Sequence, residues 1–143
     1  MREIELFAST ARTESAGTNG TAYPLFANEQ LVMALLEFTA KATDSGDLCD
    51  VYLDISPDGG TTWINGAHFT QALGNGTDAA SEVAVFYPDD SGTSVIVVTG
   101  NATSGVVRPY LCGNNIRGRY IIVATGTDDE SFTFKLRAFV RQI

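Results

Sequence analysis

Apolar and polar residues alternate along this chain in short runs separated by Gly, Asn, Asp, Ser and Thr. In residues 49–55, Cys49, Val51, Leu53 and Ile55 fall on one side and Asp50, Tyr52 and Asp54 on the other, the period of a half-buried strand. Residues 131–140 repeat the pattern, with Phe132, Phe134, Leu136, Ala138 and Val140 predicted inward and Thr133, Lys135 and Arg137 outward. Residues 2–8 alternate weakly, Ile4 and Leu6 against Glu3 and Glu5. Further strands are predicted over 62–69, 82–87, 93–99, 106–112 and 116–124. The run Val95-Ile96-Val97-Val98 reads as buried on both sides. Residues 28–43 hold good helix formers, but from Leu36 they alternate as Leu36, Phe38 and Ala40 against Glu37, Thr39 and Lys41. A long strand is the expectation there and one short helix the alternative.

Turn signals punctuate these runs. Asn19-Gly20, Asn65-Gly66 and Asn75-Gly76 are turn dipeptides, and residues 88–92 and 126–129 read as polar loops. Residues 9–21 are polar and Gly-rich, a loop or arm. With the strand before it, the segment 1–26 is expected to make assembly contacts. Eight to ten strands at this spacing predict an all-β fold, an antiparallel β-sandwich of jelly-roll or immunoglobulin-like topology. At 143 residues the chain reads as a single domain, 1–143, large enough to bury a core without staples.

The octapeptide Ser56-Pro57-Asp58-Gly59-Gly60-Thr61-Thr62-Trp63 makes the sharpest local prediction. Pro57 presets φ for a turn, and Asp58 can fold its carboxylate onto the N–H groups just ahead of it. Gly59 and Gly60 supply positive φ, and Thr62 and Trp63 open the next strand. The pattern Ser-x-Asp-x-Gly-x-Thr-Trp resembles the Asp-box of sialidases and related β-proteins. Sialidases resemble a propeller with several such boxes, an arginine cluster and a tyrosine nucleophile. A single box makes the hairpin a folding device, with Ser56, Asp58, Gly60, Thr62 and Trp63 as its structural residues.

Charge and composition narrow the function. The net charge is −8. Residues 1–107 hold three basic and 14 acidic side chains, whereas residues 108–143 hold six basic and three acidic. An acidic body argues against nucleic-acid binding, which needs Lys and Arg to neutralise phosphates. The basic group Arg108, Arg117, Arg119, Lys135, Arg137 and Arg141 reads either as a solvated strand face or as a docking patch for an acidic partner. No apolar run is long enough to span a membrane as a helix. The N-terminal Met1-Arg2-Glu3-Ile4-Glu5-Leu6 has no signal-peptide core, so a cytoplasmic origin without secretion is expected. Cys49 and Cys112 read as buried free thiols on apolar strands, with a disulfide as the alternative.

Catalytic and metal signatures are sparse. His68 is the only histidine and reads as a structural strand residue, and no nucleophile elbow, phosphate loop or zinc spacing is present. The acidic groups Asp44, Asp47, Asp50, Asp54 and Asp128, Asp129, Glu130 lack the spacing of a calcium loop. No enzyme activity, cofactor or metal is expected. Three Asn-x-Thr sequons, at Asn19, Asn75 and Asn101, read as turn asparagines. The aromatics Tyr23, Phe26, Tyr52, Phe86, Tyr87, Tyr110 and Phe139 do not all fit one inward face. They read either as core and loop packing or as a partner surface.

The run Val51-Tyr52-Leu53-Asp54-Ile55-Ser56-Pro57-Asp58-Gly59-Gly60-Thr61-Thr62-Trp63 resembles small virion proteins of tailed bacteriophages. So does Gly118-Arg119-Tyr120-Ile121-Ile122-Val123 followed by Ser131-Phe132-Thr133-Phe134, although Arg119 here precedes Tyr120. The resemblance spans residues 30–140 and implies a non-enzymatic β-sandwich of the phage particle. Capsid decoration (cement) proteins fit its size and acidity best. The expected partners are the major capsid protein or other virion proteins, in a homo-oligomer with a trimer favoured, located in the virion. Phe7, Tyr23, Phe26, Arg117 and Arg119 are the candidate interface residues. A neck, tail, baseplate or fibre-associated part is the alternative, followed by a carbohydrate-binding module.

Overall fold

Inward-facing side chains at every second position hold two antiparallel sheets face to face. The computed structural model describes residues 1–13, 15–76, 81–86, 105–107, 112–125 and 131–143, with only the backbone of Val106. The described strands are β1 (Arg2–Arg12), β2 (Ser15–Asn19), β3 (Tyr23–Pro24), β4 (Glu29–Ala40), β5 (Leu48–Ser56), β6 (Ile64–His68), β7 (Ala72–Leu73), β8 (Ser81–Val85), β9 (Val106–Val107), β10 (Asn115–Val123) and β11 (Phe132–Gln142). The smaller sheet runs β1-β11-β4-β8 and the larger β2-β10-β5-β6-β9, with β3 on β10 and β7 on β5. The fold is thus all-β, an antiparallel sandwich, and no helix occurs among the described residues. The strand expected over 93–99, the loops 88–92 and 126–129, Arg108, Tyr87, Tyr110, the acids 128–130 and the sequon at Asn101 lie outside the described residues.

The inward alternation of β5 and β11 is as predicted. Cys49, Val51, Leu53 and Ile55 are buried from the larger sheet, and Phe132, Phe134, Leu136, Ala138 and Val140 from the smaller. The Phe7 ring meets Tyr120 across the gap at 5.5 Å and Phe134 of its own sheet at 5.8 Å, both in the edge-to-face geometry that aromatic quadrupoles favour. Gly118 makes room for it, because a Cβ there would lie 2.5 Å from Phe7 Cε2.

Residues 28–43 contain the strand β4 and no helix. The ambiguity has a structural cause. Met33 pairs with Phe139 but Leu31 with Val140, so Val32 is an extra residue in a β-bulge. The bulge resets the alternation, placing Leu31, Ala34 and Leu36 on the buried face together. Their uneven spacing imitates part of a helical stripe.

Four local expectations change. Residues 9–21 are no free arm: the end of β1 pairs with β11, and β2 forms the edge of the larger sheet on β10. Asn65-Gly66 is not a turn but lies inside β6, where Gly66 is the extra residue between the pairs Asp54–Asn65 and Leu53–Ala67. Trp63 precedes β6 and is half-buried on the outside of the larger sheet, not in the core. Cys112 is exposed and lies outside any strand, whereas Cys49 is buried; both thiols are free.

Candidate functional site

The Asp58 turn sets the outer surface of the larger sheet at its upper edge. The Ser56 hydroxyl donates to Asp58 Oδ1 at 2.9 Å and accepts from Gly60 N at 2.8 Å. The same Asp58 oxygen accepts from Thr61 N and Thr62 N at 3.1 and 2.7 Å. Gly59 and Gly60 have φ of 73° and 95°, which an L side chain rarely adopts. Asn114 ties the turn to β10, accepting from Gly59 N and donating its own N–H to the Ser56 carbonyl. Donation by the Thr62 N–H and hydroxyl, then by Ser56 and Thr61, holds the Asp58 carboxyl below its usual range. Four of the five residues proposed for this hairpin, Ser56, Asp58, Gly60 and Thr62, therefore sit in one hydrogen-bonded unit, which delivers the fifth, Trp63, to the sheet surface.

Below the turn, three adjacent strands carry a continuous ladder of arginine, aromatic and acidic side chains. β10 contributes Arg117 and Arg119, β5 contributes Asp50, Tyr52 and Asp54, and β6 contributes Asn65 and His68. Their registers place Arg117, Asp54 and Asn65 in one row and Arg119, Tyr52 and His68 in the next. Asp54 is only 3 % exposed. It accepts from Arg119 Nε at 3.1 Å, from Arg117 Nε and Nη2 at 3.4 Å each, and from Asn65 Nδ2 at 3.1 Å. A carboxylate this buried demands several donors and a compensating cation.

Each arginine also covers a ring. The Arg117 guanidinium lies 4.2 Å from the Trp63 ring centre and that of Arg119 lies 3.9 Å from Tyr52, within cation–π range. Tyr52 in turn stacks on His68 at 4.2 Å. His68 Nε2 lies 2.8 Å from Asp50 Oδ1, and Gln71 donates to Asp50 Oδ2 at 3.0 Å. Burial raises the Asp50 pKa, but the hydrogen bonds of His68 and Gln71 and the charges of His68 and Arg119 outweigh it, so the carboxyl is net lowered. His68 is thus a locked structural residue of the ladder. The ladder holds planar cations and rings at fixed positions with little rotamer freedom left to lose.

The other candidate interface residues fall elsewhere. Phe7 is buried between the sheets and is no surface contact, while Tyr23 is partly buried, with one side packed against the core. Phe26 is 62 % exposed, with the Arg2 guanidinium 5.1 Å from its ring centre. Tyr52 and Phe86, read as possible outward aromatics, are buried. The C-terminal basic group divides between two faces: Arg117 and Arg119 on the larger sheet, and Lys135, Arg137 and Arg141 on the smaller, where Glu5, Glu3 with Glu37, and Gln30 meet them. Asp44, Asp47, Asp50 and Asp54 do not converge, and no group of three or more potential metal ligands occurs among the described residues.

Gln71 is a ladder residue that sequence reasoning does not single out, while Asn65 reads only as a turn residue and Asp50 only as an outward strand acid. The signal available was the outward set Asp50, Tyr52 and Asp54 on a strand whose inward set is wholly apolar. No family model matches the chain, and no curated protein or solved structure gives a match.

Proposed function

We propose that this chain is a non-enzymatic structural protein of a tailed-phage particle, most specifically a capsid decoration (cement) protein that bridges major capsid subunits in the virion. The observation that carries the reading is the pre-ordered arginine–aromatic ladder on the outer face of the larger sheet. Trp63, Arg117 and Arg119 are the partly exposed members of the ladder, and Trp and Arg are enriched among the residues that dominate protein interfaces. Here they are immobilised before any partner arrives, by Asp54 beneath the arginines and by the Asp58 turn above Trp63. The resemblance of residues 51–63 to small virion proteins supplies the phage context. A carbohydrate-binding role fits less well, since sugars stack on open ring faces and the rings of Trp63 and Tyr52 each carry a guanidinium.

Copy number tests the assignment. In purified particles, densitometry should place this protein near the abundance of the major capsid protein, at sites whose threefold symmetry would suit a homotrimer. A few to tens of copies would instead place it in a neck, tail, baseplate or fibre. Absence from the particle would remove the proposal.

A further inference from the structure

We infer that the outer face of the smaller sheet is a self-association surface, buried against the same face of a second copy of this chain across a two-fold axis. The inference stands apart from the capsid reading, because it uses a different face and a two-fold contact in place of the threefold one that reading suits.

The registers arrange this face in rows. Glu3, Phe139, Met33 and Val85 lie side by side across β1, β11, β4 and β8, followed by Glu5, Arg137, Leu35 and Val83. One half of the face is therefore apolar and the other charged. Val83 and Val85 are 56 % and 52 % exposed on adjacent outward positions, and Met33, Leu35 and Phe139 beside them are only half-buried. Scattered surface valines are ordinary, but a contiguous apolar patch bordered by ion pairs marks an interface.

Charge selects the occupant. The face carries Glu3, Glu5 and Glu37 against Lys135, Arg137 and Arg141, so its formal balance is zero on a chain of net −8. Lys135 pairs with Glu5 at 3.1 Å, and Arg137 lies between Glu37 and Glu3. A face of zero balance meets its own copy without net repulsion, and it offers no excess charge to attract a basic or acidic stranger. Size agrees as well. Four strands at ~4.8 Å and β11 at ~3.3 Å per residue make a face of roughly 600–700 Å² in plane, of the order of the ~800 Å² per partner in a stable pair. A sheet face meeting itself gives an isologous two-fold contact in the manner of stacked aligned sheets.

Sedimentation or light scattering of the purified full chain over about two decades of concentration should show a reversible monomer–dimer equilibrium, with a thermal midpoint that rises with concentration. Val83→Arg and Val85→Arg, made separately, should each weaken the dimer at least about tenfold while leaving the circular dichroism unchanged. A monomer throughout, a trimer, or a dimer indifferent to both substitutions would overturn the assignment. Should neither variant fold, carbodiimide cross-linking of mixed ¹⁴N- and ¹⁵N-labelled wild type decides. Mixed-isotope links from Lys135 to Glu3, Glu5 or Glu37 support it, and mixed-isotope links only elsewhere, or none, refute it. Particle copy number is a separate measurement, so failure of this inference and failure of the capsid reading are distinguishable.

Discussion

Arg119 sits between two residues of the neighbouring strand: its Nε donates to Asp54 at 3.1 Å while its guanidinium covers the Tyr52 ring at 3.9 Å. One side chain thus neutralises the buried acid and seals the aromatic beside it. Asp54→Ala should cost about 3 kcal/mol in chemical denaturation, because it takes from two largely buried arginines the carboxylate they share. Arg119→Met should cost less, since Arg117 and Asn65 still serve Asp54. Equal, near-zero effects would show that the ladder contributes nothing to folding.

The Asp58 turn makes a backbone prediction. Gly60 has φ of 95°, so Gly60→Val should destabilise by about 1–3 kcal/mol through backbone strain, although a Cβ there would meet only the Trp63 ring, at 3.4 Å. Trp63→Ala should cost about 1–2 kcal/mol, mainly the lost contact with Arg117, and not the larger penalty of a core truncation. Denaturant midpoints of the two variants check both values.

Acid should unfold the protein through Asp50 and Asp58. Both carboxyls are lowered in the folded state from the ordinary 3.8. A lowered folded pKa contributes stability that is fully present above the unfolded value and is lost as pH falls through the folded one. Stability should therefore decline below about pH 4, and Asp50→Asn should flatten that decline while lowering stability at pH 7. An unchanged slope in a urea series at several pH values would contradict the role of Asp50.

The two thiols should react at different rates. Cys112 is exposed, while burial pushes the Cys49 thiol up to about 12, with Asp50 adding to the rise. A chromogenic disulfide reagent at pH 8 should titrate one thiol in the native protein and the second only as denaturant opens the sandwich. Cys112→Ser should abolish the native reaction. Because the raised Cys49 value favours the folded state only below the unfolded pKa near 9.0, stability should also fall as pH climbs beyond that value.

Removing residues 1–21 should unfold the chain, not trim an arm. The deletion takes away β1 with Ile4, Leu6 and Phe7, and β2 as well. By contrast, Phe26→Ala, at an exposed position, should shift stability by no more than about 0.5 kcal/mol. A soluble truncation with native circular dichroism would show that the edge strands are dispensable.

The strands β5 and β11, the turn at Asp58 and the all-β class follow from sequence alone, because a two-residue period and local Asp–Gly chemistry are short-range signals. β4 was ambiguous because the bulge at Val32 breaks its period, and Asn65-Gly66 imitates a hairpin while serving as a bulge beneath Asp54. β2 is Ser-, Thr- and Gly-rich, so nothing in its own composition announces a strand; only the open edge of β10 makes it one. The ladder draws on residues 50–71 and 117–119, and which outward side chains meet depends on strand order and register, which are set by long-range pairing. Local alternation therefore determined which side of each strand faces the core. Only the assembled sheets decided which arginine covers which ring, and that Phe7 belongs inside, because those contacts join strands far apart along the chain.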